Sequence, residues 1–324
     1  KAGKKAAYLS NFKRNPVLNL DFLKPKATPL IGVDISASAV KMVELSQAGQ
    51  NYSLERYVIQ PLPKDAVADG NLANLEVVAE TMRRAWQQLG TRVKHVAIAL
   101  PAASVITKKI LAPASMSERE LEDQVETEAN QYIPFPLDEV NLYFQVLGVN
   151  PNSPEENDVL IAAAKKEKVE ERVAAVEAAG LKAVVVDVES YATQAAFELM
   201  RPQLPNNGEG QIVAVVDIGA TAMHMNIFKD GQSIYSRDQA YAGNQLTQEI
   251  QRKYNMSYED ADQAKCQGGL PENYESDVLQ PFMDTLAMEV ARSLQFFYTS
   301  SNYNKVDHVL LAGPPGLGKT TLAY

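Results

Sequence analysis

The stretch PLIGVDISASAVKMVEL, Pro29–Leu45, reads as a hairpin. PLIGVDI is an apolar run of buried-strand length, SASA is a turn of small residues, and VKMVEL alternates apolar with polar. The same device returns in QIVAVVDIGATAMHMNIFKDGQSIYSR, Gln211–Arg237, as strand, turn, strand, the turn KDG, and a further strand. In IGVDISAS (31–38) and VVDIGATA (215–222) a buried strand ends in an aspartate, and small or hydroxyl residues follow. Small residues let backbone N–H groups approach a phosphate closely. Ser36, Ser38 and Thr221 add hydroxyl donors, and Gly219 and Lys41 complete the set in the two hairpins. Asp34 and Asp217 suit the water shell of Mg2+, which takes few carboxylates and keeps several waters. One such turn is ordinary. Two of them, each opening a lobe and separated by a subdomain, predict a clamp that holds ATP or ADP with Mg2+ in a cleft between the lobes.

The bulk properties agree with two lobes. The chain has 324 residues, 46% hydrophobic and 22% charged, enough for two cores. No run approaches the roughly 18 apolar residues of a membrane span, so no direct span is expected. Lys1–Lys5 leads into a polar stretch without the apolar core of a secretion signal. The single cysteine, Cys266, excludes an internal disulfide framework and fits a reducing cytoplasm. His95, His224 and His308 have no neighbours at metal-ligand spacing. A net charge of −9 argues against a nucleic-acid binder, because phosphate backbones demand clustered Lys and Arg. Residues 1–28 differ: they are basic and read as a flexible tail or as an arm for lipid or a partner.

Between the hairpins, NYSLERYVIQPLP reads as a strand, NLEVVAETMRRAWQQL as a helix closed by Gly90, and HVAIALP as a buried strand. SVITKKILAP suits a strand. SERELEDQVETEANQY opens a helix with Ser117 and Glu120 in capping-box register. VNLYFQVLGV is an antiparallel strand, NPNSPEEND a polar loop, VLIAAA a strand, KEKVEERVAAVEAAG a helix and AVVVDV a strand. Helices follow the second hairpin at about 244–254, 258–267 and 276–300, and DHVLLAG is the last strand.

The two hairpins resemble the phosphate motifs of the actin/Hsp70/FtsA superfamily of ATP-binding proteins. Within it, LIGVDISASAVKMVELS, EANQYIPFPLDEVNLYFQVLG, VDVESYATQAAFEL and EVARSLQFFYTSSNYNKVDHVLLAG are similar to the PilM family of type IV pilus assembly, over about residues 28–313. The resemblance implies an α/β fold, the two-lobed, ribonuclease H-like duplicated actin-like ATPase fold. Its first lobe would be 29–102, an FtsA-type, SHS2-like inserted subdomain 103–188, and the second lobe 189–324.

The resemblance also implies roles. Glu189, in the first connecting segment, falls near the attacking water; a helix-opening glutamate stabilised by the dipole is the other reading. Gly243, in the second connecting segment, comes near the phosphates. Asp262 and Lys265 flank the nucleoside, unless they are an i,i+3 surface pair. Turnover is expected to be slow or absent, because Glu189 is the one candidate for positioning water. The family implies a cytoplasmic adaptor, peripheral at the inner membrane, that holds the cytoplasmic N-terminal peptide of PilN and can self-associate. Tyr132, Ile133, Phe135 and Leu137 form an apolar patch, core or interface, that would wall the groove for that peptide.

Two other readings compete. One is an FtsA-like, polymer-forming division protein, whose membrane-targeting C-terminal helix this chain does not show. The other rests on DHVLLAGPPGLGKTTLAY, Asp307–Tyr324, which contains the P-loop pattern Gly313-x-x-x-x-Gly318-Lys319-Thr320 and resembles the Walker A segment of RuvB-type AAA+ motors. A working P-loop opens a helix and needs further strands that bring an acidic residue to Mg2+. Only Thr320–Tyr324 follow Lys319, so Lys319 is expected to be a bystander. In the actin-like reading Gly313 approaches the nucleoside, and Pro314, at a second glycine position, removes an N–H. Family residues that would complete the second lobe are missing, and a truncated or mosaic end is expected.

Overall fold

A computed structural model describes residues 29–49 and 51–313. The expectations for the basic tail and for the letters after Gly313 lie outside these residues. The chain divides into two compact units, Lys1–Glu189 and Ser190–Tyr324.

The first unit runs β1 (Ile31–Ile35), β2 (Ala39–Ala48), β3 (Asn51–Pro61), the short pair β4 (Val67–Ala68) and β5 (Asn71–Leu72), α1 (Leu75–Leu89), β6 (His95–Leu100), β7 (Val105–Pro113), α2 (Glu118–Tyr132), β8 (Val140–Asn150), β9 (Ser153–Lys165), α3 (Lys166–Ala178) and β10 (Lys182–Val188). Its main sheet has the order β10-β6-β1-β2-β3. The strands β10, β6 and β1 are parallel, and the two hairpin strands are antiparallel. Ile31, Val33 and Ile35 point into the core while Gly32 and Asp34 face out, the period-2 alternation of a half-buried strand. Val78, Met82, Ala85 and Leu89 put an apolar stripe of α1 on the same core, together with Val169 and Val176 of α3. Asn74 caps α1 by accepting the Val77 N–H at 3.1 Å, and Gly90 ends it in the left-handed region at φ 69°.

The inserted subdomain is smaller than expected. The strand β10 pairs with β6, and α3 packs into the core of the main sheet, so 166–188 belong with the first lobe. What remains is the three-stranded antiparallel sheet β7-β9-β8 with α2. The capping box at the start of α2 is formed. The Ser117 N–H donates to Glu120 Oε2 at 2.8 Å, and the Glu120 N–H to Ser117 Oγ at 3.4 Å. The polar loop expected at 150–158 is largely strand, since β9 begins at Ser153 and pairs along both neighbours. Its first six residues, Ser153–Asp158, are polar on both faces of the strand, so their composition mimics a loop.

The second unit contains α4 (Glu189–Met200), which starts at the division, then β11 (Ile212–Ile218), β12 (Met223–Lys229), β13 (Gln232–Gln239), α5 (Gly243–Tyr254), α6 (Tyr258–Gln267), α7 (Gln280–Ser300) and β14 (His308–Ala312). Its sheet order is β13-β12-β11-β14, with β14 parallel to β11. The strand β11 is apolar up to Asp217 because both of its faces are covered. Ile212, Ala214, Val216 and Ile218 meet Leu246, Ile250, Leu286 and Phe297, while Val213 and Val215 meet Phe197 and Phe228. The last two rings stack at 4.7 Å. Among the described residues no helix is long and apolar enough to cross a membrane.

Two predictions follow from this packing. Phe197→Ala removes a ring that is 2% exposed and should cost about 3–5 kcal/mol in denaturant unfolding. Asp307 accepts the Ile212 N–H at 2.9 Å and the Lys305 ammonium at 2.7 Å, which together hold its carboxyl below the ordinary range. That contribution is complete above the unfolded carboxylate value and is lost as pH falls through the depressed folded one. Melting temperature should therefore decline below about pH 4 less steeply in Asp307→Asn than in the parent chain.

Candidate nucleotide site

The two hairpins are the same object to the residue. In the first, Ile35 lies opposite Val40 and Asp34 opposite Lys41; in the second, Ile218 lies opposite Met223 and Asp217 opposite His224. The Ser36 N–H donates to the Ala39 carbonyl at 3.0 Å, and the Gly219 N–H donates to the Ala222 carbonyl at 3.0 Å. Each aspartate thus stands two residues before a turn closed by one hydrogen bond. Gly219 occupies the place of Ser36, and a Cβ there would lie 2.9 Å from the Ala222 carbonyl oxygen, too close for any side chain. Ser38 and Thr221 hold the same place in their turns, and both are exposed.

Not every expected donor is available. The Ser36 hydroxyl is committed to the Ala39 carbonyl at 2.9 Å, so it shapes the turn. The Gly243 N–H donates to the Gly219 carbonyl at 3.1 Å, and the Asn244 N–H to the Ala220 carbonyl at 2.7 Å. These first amides of α5 hold the second hairpin in place, and the expected role of Gly243 beside phosphate becomes a positioning one. Gly313 sits at φ 148° at the end of β14, where a Cβ would lie 2.7 Å from the Ile218 carbonyl oxygen. Only glycine lets the two strand ends come that close.

Lys265 and Asp262 are more than a surface pair. The Lys265 side chain is only 10% exposed, and its ammonium donates to Asp262 at 2.6 Å and to the Thr247 hydroxyl at 2.7 Å. The triad fastens α6 to α5. On the neighbouring strands, His224 Nδ1 lies 2.7 Å from Asp238, which orients the imidazole next to Asp217 across the ladder.

In the first unit Asp34 forms a 2.9 Å ion pair with Lys41, and both are partly exposed. Glu189 is the residue after β10 and opens α4, where the helix dipole favours a carboxylate. Arg172 was not anticipated. It is 3% exposed, donates to the Gly70 carbonyl at 2.9 Å, and is pushed down by burial while Glu189, Asp34 and Glu171 pull it back up. A single buried cation therefore feels both the hairpin aspartate and Glu189. The available signal was a charge in the apolar stripe of α3, among Val169, Ala175 and Val176. Asp187, at the end of β10, is raised by burial against the opposing Val188 N–H. Among the described residues no three His, Cys, Asp or Glu side chains gather as a metal site.

Of the expected peptide wall, Ile133 is core. Ile133 is buried with Ala129, Val140 and Ala163, while Tyr132, Phe135 and Leu137 are half-buried against the same cluster. The ammonium of Lys108 lies 3.8 Å from the ring centre of Tyr132, and that of Lys165 lies 3.9 Å from that of Phe135.

Comparison with known proteins places this architecture. A chain of the solved "PilM-PilN type IV pilus biogenesis complex" is 29% identical, with a TM-score of 0.73 over 92% of this chain and 87% of that one. The ethanolamine utilization protein EutJ from Carboxydothermus hydrogenoformans is 16% identical, with a TM-score of 0.50 over 90% and 77%, a likeness of fold alone. The fold is mixed α/β and actin-like. The family described as "Type IV pilus assembly protein PilM" matches residues 32–319, a range that takes in both hairpins and runs into the P-loop-like letters. The chain belongs to this PilM family of type IV pilus assembly proteins.

Proposed function

We propose that this chain is an actin-like adaptor of type IV pilus assembly, cytoplasmic and peripheral at the inner membrane, that binds ATP or ADP with Mg2+ and the N-terminal peptide of PilN. The observation that carries the nucleotide reading is the repeated turn, with Asp34 and Asp217 in matching register and Ser38 and Thr221 exposed beside them. Asp34 and Asp217 would act on Mg2+ through its water shell, and the nucleotide's own phosphates would supply its direct ligands. Gly313 keeps β14 against the second turn, and Lys265 with Asp262 braces the helices behind it. Glu189 would orient an attacking water. With one carboxylate in that role and no second base named, turnover is slow or absent. The PilN reading rests on the likeness to the chain in the PilM-PilN complex. Tyr132, Phe135 and Leu137, the half-buried members of the apolar patch, would line that peptide.

Nucleotide titration in Mg2+ tests the first part. Asp34→Ala and Asp217→Ala should each weaken ATP binding by about tenfold or more, while Lys319→Ala binds as the parent does. Loss of binding in Lys319→Ala with both aspartate variants intact would overturn the hairpin site. For the second part, a peptide copying the PilN N-terminus should bind equally to the parent and to Asp217→Ala, and more weakly to Phe135→Ala with an unchanged melting temperature. A peptide that binds none of them removes the adaptor assignment.

A further inference from the structure

The inserted subdomain is joined to the first sheet by two chain crossings. The chain leaves β6 through Pro101–Ser104 and returns where β9 ends at Lys165 and α3 begins at Lys166. Two adjacent crossings form a hinge line, and whatever stands across that line sets the angle. The short hairpin β4-β5 stands there. Its tip is the two-residue turn Asp69-Gly70, with φ 50° and 74°, both positive as such a tight hairpin turn requires. Gly70 abuts the outgoing crossing: a Cβ on it would lie 2.8 Å from Pro101 Cγ, and a proline ring has no rotamer by which to yield.

The helix that follows the return crossing grips the same hairpin. The Arg172 guanidinium donates to the Gly70 carbonyl at 2.9 Å, and Glu171 accepts the Leu72 N–H at 3.1 Å. At the start of α3, Lys166 donates to the Asp138 carbonyl, and the Lys165 ammonium lies 3.9 Å from the ring centre of Phe135. At its other end, the Ala178 carbonyl accepts from Arg83 of α1 at 2.6 Å. One helix is thus tied to the apolar patch at its start, to the hairpin in its middle and to the first-lobe core at its end. The patch itself lies at the root of the subdomain. Tyr132, Phe135 and Leu137 pack with Val140, which opens β8, and with Ile106 and Ala163 beside the two crossings.

An arginine at position 172 is costly. It is 3% exposed on a helix face shared with Val169, Ala175 and Val176, where a methionine would fill similar space without desolvating a charge. Burial pushes the guanidinium down, and Glu189, Asp34 and Glu171 act against that. A methionine has no donor for the Gly70 carbonyl, and a lysine has no planar fork. What the arginine adds over either is fixed geometry at the hairpin tip. We infer that Arg172 and Gly70 are positioning residues: through the β4-β5 hairpin they set the angle of the inserted subdomain on the first sheet, and so place the patch that takes the PilN peptide. The second half of this inference rests on the adaptor function proposed above, and the first half does not.

Spin labels at Glu122→Cys on α2 and Gln88→Cys on α1, both exposed, report that angle as a distance in a chain carrying Cys266→Ser. Pulsed dipolar spectroscopy should give one narrow distance with Arg172 and Gly70 in place. Arg172→Met and Arg172→Lys should each broaden it, and so should Gly70→Ala, whose methyl group pushes the turn off Pro101. If Arg172→Met does not fold, the other two variants decide. At a temperature where every variant is folded, the PilN N-terminal peptide should bind Arg172→Lys and Gly70→Ala about tenfold more weakly, because the binding-ready angle becomes a minor state. Phe197→Ala, weakened in the second unit, should bind the peptide as the parent does, which separates placement from stability. A distance as narrow in Arg172→Lys and Gly70→Ala as in the parent overturns the inference. A broadened distance with unchanged peptide affinity overturns its second half. A parent chain that binds no peptide removes the adaptor function and that half with it, while the label distances still decide the first.

Discussion

One short hydrogen bond in each unit, from Ser36 to Ala39 and from Gly219 to Ala222, sets everything near the candidate site. It closes the turn two residues after the aspartate, Asp34 in one hairpin and Asp217 in the other. The rest of each unit keeps that turn in place. In the first, alternating burial along β1 pins the register, because a slip of one residue would turn Asp34 into the core. In the second, β11 is buried on both faces, and the opening amides of α5 clamp the turn from behind.

The duplicated hairpin is served by different supports. Beside Asp34 stand Lys41, on the next strand, and the buried Arg172. Beside Asp217 stands His224, itself oriented by Asp238. Lys41 and His224 hold the same position in their respective hairpins, so one turn geometry has been given two electrostatic settings.

Much of this was legible in the residues. Val78, Met82, Ala85 and Leu89 at helical spacing, Ser117 with Glu120, and the apolar runs of β1 and β11 read directly as the elements they form, because each pattern has one energetically sensible solution. Legibility failed where a pattern has two. The polar start of β9 reads as loop because Ser153–Asp158 are polar on both faces and carry no period-2 pattern to mark a strand. The segment 166–188 reads as part of the insertion because nothing local says which sheet β10 will join. Arg172 escaped for the same reason: a charge in an apolar stripe acquires meaning only when its neighbours are known.

By itself, then, the sequence determined the class of the fold and the existence of two matching hairpins, each with an aspartate, Asp34 or Asp217, two residues before its turn. These follow from local rules, hydrophobic period and the small residues that a tight turn requires. The tertiary structure decided which donors are spent. Ser36 and Gly243 look like phosphate ligands by residue type, yet their hydrogen bonds go to Ala39 and Gly219. It also decided that Lys265 is a buried brace and that Ile133 is core. A donor can be counted from sequence, but whom it serves depends on which carbonyl the fold carries within about 3 Å, and that is a property of the packed chain.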